Sequence, residues 1–209
     1  NPNAEIYSIR VLDDDNRAPL SRIIEGIYMA IDQKVNIINM SFGVSQYSEA
    51  LHQAVKAADR AGILMVAAAG NNGPGANSIS TPGDCKKIIT VGADNDNVKV
   101  FVNGKYTYNY SGRGPTKQCI IKPDIVAPAN KIISCSNLWQ KGYSYVVKSG
   151  TSMATPIVTG IIALMLNKKE KLTNVECKKI LKENAIDMSM DKNRQGAGLV
   201  NANAILNIL

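Results

Sequence analysis

A chain of 209 residues with 45% hydrophobic content can bury a sizeable core as one domain, and disorder is excluded. No apolar run is long enough to span a bilayer. The formal net charge is +7, but the basic residues are spread along the chain rather than gathered with aromatics, which argues against nucleic acid as a partner. The densest basic run, Lys168-Lys169-Glu170-Lys171, reads as a solvated helix end that complements the helix dipole.

In chain order, Ile6 to Leu12 has a strand pattern, and Leu20, Ile23, Ile24, Ile27, Ala30 and Ile31 follow helical spacing. Val35 to Met40 is a short β-rich run, a helix is expected around Leu51, and strands are expected over 63–69 and 88–93. Alternating strands and helices argue for a parallel α/β sheet with right-handed crossovers. From Val98 to Tyr110 the pattern changes. Val100, Val102, Tyr106 and Tyr108 flank Asn103-Gly104, a strong hairpin signal, and this ribbon is placed at the periphery. Helical spacing returns over 157–166 and 175–181, and a last helix follows Asn201.

The stretch that carries most chemistry is Gly150-Thr151-Ser152-Met153-Ala154-Thr155-Pro156, which opens an apolar helical pattern. A hydroxyl at a loop-to-helix junction sits at the positive end of a helix dipole, and small neighbours let a substrate backbone approach. On local chemistry alone Ser152 reads equally well as a nucleophile or as a helix cap. Ala67-Ala68-Ala69-Gly70-Asn71-Asn72-Gly73 reads as a buried strand ending at a tight turn. Ligands in α/β sheets bind at the carboxyl ends of strands. Asn71 is therefore either a turn residue or a side-chain amide aimed at a developing oxyanion.

These two stretches, in this order, resemble the nucleophile and oxyanion motifs of the subtilisin-like serine proteases (subtilases). Ile37-Ile38-Asn39-Met40-Ser41-Phe42-Gly43 is similar to the family's strand along the substrate groove. Three further segments, at 110–116, 122–128 and 196–202, follow the same pattern, so that the resemblance covers essentially all 209 residues. It implies a three-layer α/β subtilisin-like fold with a mostly parallel sheet, here lacking its N-terminal part, and a peripheral hairpin. It implies peptide-bond hydrolysis through an acyl-enzyme on Ser152, with the oxyanion held by Asn71. Ser41, Phe42, Gly43, Gly150 and Thr151 would meet the substrate, and Ala67, Ala68, Ala69 and Ser80 would wall the pocket for the residue before the scissile bond. It also places a cis peptide at Thr81-Pro82. No cofactor is required by this chemistry, no metal is assigned, and structural calcium is allowed in the full-length protein. The resemblance leans toward an extracellular or cell-envelope location.

Residues 1–209 thus read as a partial peptidase domain, roughly the last two-thirds, because the family's aspartate motif and His-Gly-Thr-His motif do not occur. The one histidine, His52, lies beside a helical face marked by Leu51, Ala54, Val55 and Ala58, and reads as a surface or boundary residue. Asp13, Asp14 and Asp15 read as a solvated turn. A serine without a general base is a poor nucleophile, so the 209 residues alone are expected to be inactive. The alternatives are a pseudoprotease that keeps the fold as a binding or regulatory module, and an unrelated α/β esterase. The esterase reading lacks the second glycine of a Gly-x-Ser-x-Gly elbow and a histidine downstream.

Two departures from the family pattern stand out. Ile157 replaces a histidine outside the triad, and Ala129 replaces a glycine, with backbone strain expected if that position needs positive φ. Cys85, Cys119, Cys135 and Cys177 show no zinc or redox spacing and are read as unpaired, although two disulfides in three connectivities are open to them. The family's aspartate strand would separate Ile6–Leu12 from Val35–Met40. Either these two runs close directly as one βαβ unit, or the gap is filled by another polypeptide: the missing N-terminal segment or a second copy of the chain. Filling is the expectation.

Overall fold

Three of the expected strand runs, joined by a short strand that the pattern does not mark, form one parallel sheet. In the computed structural model, which describes residues 1–102 and 104–209, the strands are β1 (Ile37–Met40), β2 (Leu64–Ala68), β3 (Ile89–Ala93) and a later strand at Ile125–Ala127. That strand is β6, after β4 (Val100–Val102) and β5 (Lys105–Thr107), and the sheet order is β1-β2-β3-β6. Ile37 pairs with Leu64, Val66 with Ile89, and Val91 with Ile125, all parallel. The helix α2 (Glu49–Arg60) makes the crossover from β1 to β2, and α1 (Leu20–Asp32), which precedes β1, packs beside α2 on the same face of the sheet.

Burial on both faces explains why these strands are near-continuous apolar runs. Along β2 the side chains alternate. Leu64 and Val66 pack on one side with Val158, Ile161, Ile162 and Met165 of α3 (Thr151–Lys168). Met65 and Ala67 pack on the other with Ile23 and Ile27 of α1 and Leu51, Ala54 and Val55 of α2. The result is three layers: α1 and α2, the sheet, then α3. Behind α3 lie α4 (Asn174–Glu183), through Cys177 and Leu181, and α6 (Ala202–Asn207), through Ile205. Each large aliphatic side chain so buried contributes about 1.5–3 kcal/mol. The remaining helix, α5 (Lys192–Gln195), is a single turn.

The hairpin forms as β4 paired antiparallel with β5, Phe101 opposite Tyr106; its expected turn residue Asn103 lies outside the described residues. A second antiparallel ribbon joins β7 (Ile132–Cys135) to β8 (Tyr145–Lys148) and leads into α3. All four cysteines are free, with Cys85 and Cys177 buried and Cys119 and Cys135 exposed.

Three expectations are corrected. Ile6–Leu12 is not a strand, and Ile6 is 90% exposed. A strand needs a ladder partner, and this segment has none among the described residues. Instead it lies across α1, where a Cβ on Gly26 would come within 2.5 Å of Val11 Cγ1. Direct closure onto β1 therefore does not occur, and β1 stands at the sheet edge. Ala129 is fully buried but does not have positive φ, so the expected strain is absent. His52 is buried, only 7% exposed, because α2 turns it into the polar seam described below. Thr81-Pro82 is cis, as the family resemblance implied.

Candidate active site

Two strand ends and one helix start converge. β1 runs out into Ser41-Phe42-Gly43, β2 into Ala69-Gly70-Asn71, and α3 begins at Thr151 beside both. The sheet sets the height of the first two, since Met40 pairs with Ala67. α3 is held beneath by its apolar face, from Ala154 to Met165.

Ser152 is not the helix cap. The N-cap of α3 is Gly150, with φ 138° and no side-chain cap. The Met153 N–H donates to the Gly150 carbonyl at 3.0 Å, and the Thr151 N–H donates to Asn71 Oδ1 at 3.0 Å. Helix starts leave orphan N–H groups, and the Ser152 N–H has no hydrogen-bond partner among the described residues. Pro156 inside α3 has no N–H to return to the Ser152 carbonyl, which loosens the turn carrying the hydroxyl. Ser152 Oγ donates to the Ser41 carbonyl at 2.7 Å.

Asn71 is fixed by chemistry rather than by its turn. Its backbone does not have positive φ; that role falls to Gly70, at φ 92°. Asn71 Oδ1 accepts both the Thr151 N–H and the Thr151 hydroxyl, each at 3.0 Å. A backbone N–H can only donate, so the oxygen of the amide must face it and the NH₂ must face away. That NH₂ lies beside Gly150: a Cβ placed there would be 3.4 Å from Asn71 Nδ2. Thr151 Oγ1 completes the clamp by accepting the Gly70 N–H at 3.2 Å. The Asn71 amide is thus tied to the residue before Ser152, with its NH₂ on the Gly150 side of the helix start.

Ser80 sits between two glycines. A Cβ on Gly70 would lie 2.1 Å from Ser80 Oγ, and one on Gly43 would lie 2.6 Å from Ser80 Cβ. The Ser80 N–H donates to the Ala69 carbonyl at 2.9 Å. Ala68 and Ala69 are buried at the end of β2, while Ala67 packs among Met40, Leu51 and Ala54 in the α1–α2 core. Phe42 leans on that same core. Asp13 turns its carboxylate onto the N–H groups of Asp15 and Arg17 in an exposed loop.

What reading residue by residue missed is the second role of Thr151, which orients Asn71, and the polar seam of His52, Asp84 and Thr81. The first had a signal in the threonine that precedes Ser152. The second had none, since its members are 32 residues apart. Among the described residues no group of three or more His, Cys, Asp or Glu side chains is placed to hold a metal ion. Among them, too, no helix is long and apolar enough to cross a membrane.

Comparison with known proteins agrees with this geometry. Residues 1–198 match the model of the subtilase family. Serine protease AprX of Bacillus subtilis (strain 168) is 38% identical over 96% of the chain and 51% of its own length. Subtilisin BL of Lederbergia lenta is 36% identical over 97% of the chain and 68% of its own length. Among solved structures, Sphericase superposes with a TM-score of 0.76 at 30% identity, covering 91% of the chain and 66% of Sphericase. The chain therefore spans about half the length of AprX and about two thirds of the other two.

Proposed function

The chain belongs to the subtilase family, and from that premise we propose that it carries the nucleophile and oxyanion hole of a serine endopeptidase, with Ser152 as nucleophile and Asn71 as oxyanion donor. The observation that carries the reading is the clamp on Asn71. With Oδ1 tied to Thr151, the amide NH₂ is left to donate, and it and the Ser152 N–H are the two donors assigned to the oxyanion.

The mechanism follows from that placement. Ser152 Oγ attacks the carbonyl carbon of a peptide, and the Oγ proton passes to a histidine outside these 209 residues that an aspartate orients. The carbonyl oxygen becomes an oxyanion between Asn71 Nδ2 and the Ser152 N–H. The proton is given to the leaving amine, and water then hydrolyses the acyl-enzyme by the same steps in reverse order. No cofactor enters. Substrate adds as an extended strand along Ser41-Phe42-Gly43, and Gly150 and Thr151 leave room for its backbone. Ala68, Ala69 and Ser80 wall the pocket for the residue before the scissile bond.

In this chain the Ser152 hydroxyl donates to the Ser41 carbonyl, which is far too weak a base to take its proton. The base and its aspartate come from an N-terminal segment or a second chain, which fills the open edge of β1. An extracellular or cell-envelope setting is part of this proposal and rests on the family resemblance alone. The test is peptide hydrolysis by the full gene product. Activity abolished by Ser152→Ala supports the proposal; activity that survives in that variant overturns it.

A further inference from the structure

α2 presents a polar side chain on its core face. His52 sits between Leu51 and Ala54, both fully buried, and is itself 7% exposed. Burying an imidazole there is costly unless its ring nitrogens find partners. Nε2 lies 2.9 Å from Asp84 Oδ1, and the other carboxylate oxygen accepts the Thr81 hydroxyl at 3.0 Å. The Tyr47 ring packs edge-on against the imidazole, with centroids 4.8 Å apart. Asp84 is also buried, so its two oxygens depend on these two partners.

The segment that this seam secures is the wall of the pocket. Thr81 follows Ser80, which is wedged between Gly43 and Gly70. Thr81 also makes a two-bond antiparallel bridge to Val44: the Val44 N–H donates to the Thr81 carbonyl and the Thr81 N–H to the Val44 carbonyl, each at 2.9 Å. Val44 directly follows Ser41-Phe42-Gly43. A continuous path thus runs from α2 through Asp84 and Thr81 to the edge that faces Ser152.

We infer that His52 is a positioning residue for substrate binding. Through Asp84 it holds Thr81, and through the Thr81–Val44 bridge it fixes the edge Ser41–Gly43 and the Ser80 wall against each other. Without it, Asp84 Oδ1 loses its buried partner and turns toward the small cavity of about 20 Å³ that also touches Tyr47, Thr116 and Lys117. That movement releases Thr81 and widens the groove. The inference rests on the reading of Ser41–Gly43 as the substrate edge.

The experiment uses the full gene product in its Ser152→Ala form, so that binding is read without turnover. Affinity for a fluorescent tetrapeptide is measured for that protein and for versions that also carry His52→Leu or His52→Gln, each with a thermal melt. Leucine fills the space but cannot reach Asp84; glutamine keeps a donor. His52→Leu should weaken binding about tenfold, the loss of one hydrogen bond to a charged group, and His52→Gln should recover most of it. Turnover of the same peptide by the Ser152 protein with His52→Leu should show the loss in KM, with kcat nearly unchanged. Unchanged affinity in His52→Leu overturns the positioning role alone. A loss that follows lowered thermal stability and is not rescued by glutamine also overturns it. A parent that binds no peptide removes the substrate edge itself, and the inference falls with it.

Discussion

Asn71 makes two kinds of contact, and substitutions separate them. Its Oδ1 accepts two hydrogen bonds from Thr151, and its NH₂ lies beside Gly150, where it is proposed to meet the oxyanion. Asn71→Ala in the full gene product removes both. Loss of an oxyanion donor of this type in a subtilisin costs about 2.7–4 kcal/mol of transition-state stabilisation, so kcat should fall about 10²–10³-fold. The Thr151 bonds are ground-state contacts. Losing them costs on the order of 1 kcal/mol of stability and leaves KM nearly unchanged, because the donor acts on charge that exists only in the transition state. Asn71→Asp keeps an acceptor for the Thr151 N–H but places a carboxylate where the oxyanion forms, so kcat should fall at least as far while the melting temperature stays close to the parent. Thr151→Ala removes only the clamp and should cost kcat less than either. Steady-state kinetics on a chromogenic peptide, with a thermal melt for each variant, read all three. An Asn71→Ala protein whose defect lies in KM with kcat intact would refute the oxyanion assignment and leave Asn71 a turn residue.

Other outcomes follow from the same packing. Gly70→Ala should be destabilised by at least ~1–2 kcal/mol from left-handed backbone strain alone, and its Cβ, 2.1 Å from Ser80 Oγ, should displace the pocket wall and raise KM; a variant with parental melting temperature and KM would contradict this. Burial, and then the neighbouring Lys122, push the Lys178 ammonium down to about 7. The unfolded lysine titrates near 10.5, so above pH 7 the unfolded chain binds the extra proton and stability should rise with pH. The window to read is pH 7 to 8.5, because burial raises the Cys177 thiol to about 12 and opposes the trend at higher pH. Melting temperature should climb by about 2–4 °C per kcal/mol gained, and Lys178→Met should flatten the slope. An equal slope in both proteins would show that Lys178 is not the group responsible.

Below pH 7 Lys178 joins Lys122 and Lys182 around Asp124, three ammonium groups on one buried carboxylate. Burial works to raise the Asp124 carboxyl, but those three charges overcome it and hold it well below the usual range. The Lys122 ammonium also donates to the Ile88 carbonyl and to Thr90 Oγ1, tying the segment before β6 to β3.

Much of this fold is readable because its strands are buried on both faces. The runs ending at Met40, Ala69 and Ala93 are apolar enough to stand out, and the helices between them carry a clear 3.6-residue stripe. Ile6–Leu12 carries the same local pattern and is not a strand, since pairing is a property of two segments and no described residue pairs with it. β7 and β8 escaped notice for the opposite reason: four residues each, mostly exposed, their pairing shows no alternation of buried and solvated positions. Ser152 and Asn71 are legible as motifs, yet their local chemistry is shared with caps and turns. What separates the readings is long-range: Gly150 takes the cap, and Thr151 reaches back 80 residues to orient the amide. His52 looks peripheral because it borders an apolar stripe, and only Asp84, 32 residues on, explains why α2 turns it inward.

The central claim is that Ser152 is a nucleophile that needs a base from outside these 209 residues. A fluorophosphonate that phosphonylates activated serines tests this directly, with the adduct located by peptide mass mapping in the 209-residue chain and in the full gene product. The account predicts one adduct, on Ser152, in the full product, and labelling of the 209-residue chain slower by about 10²–10⁴-fold, the worth of a general base. Equal labelling of the two proteins, or an adduct on any other serine, would contradict it.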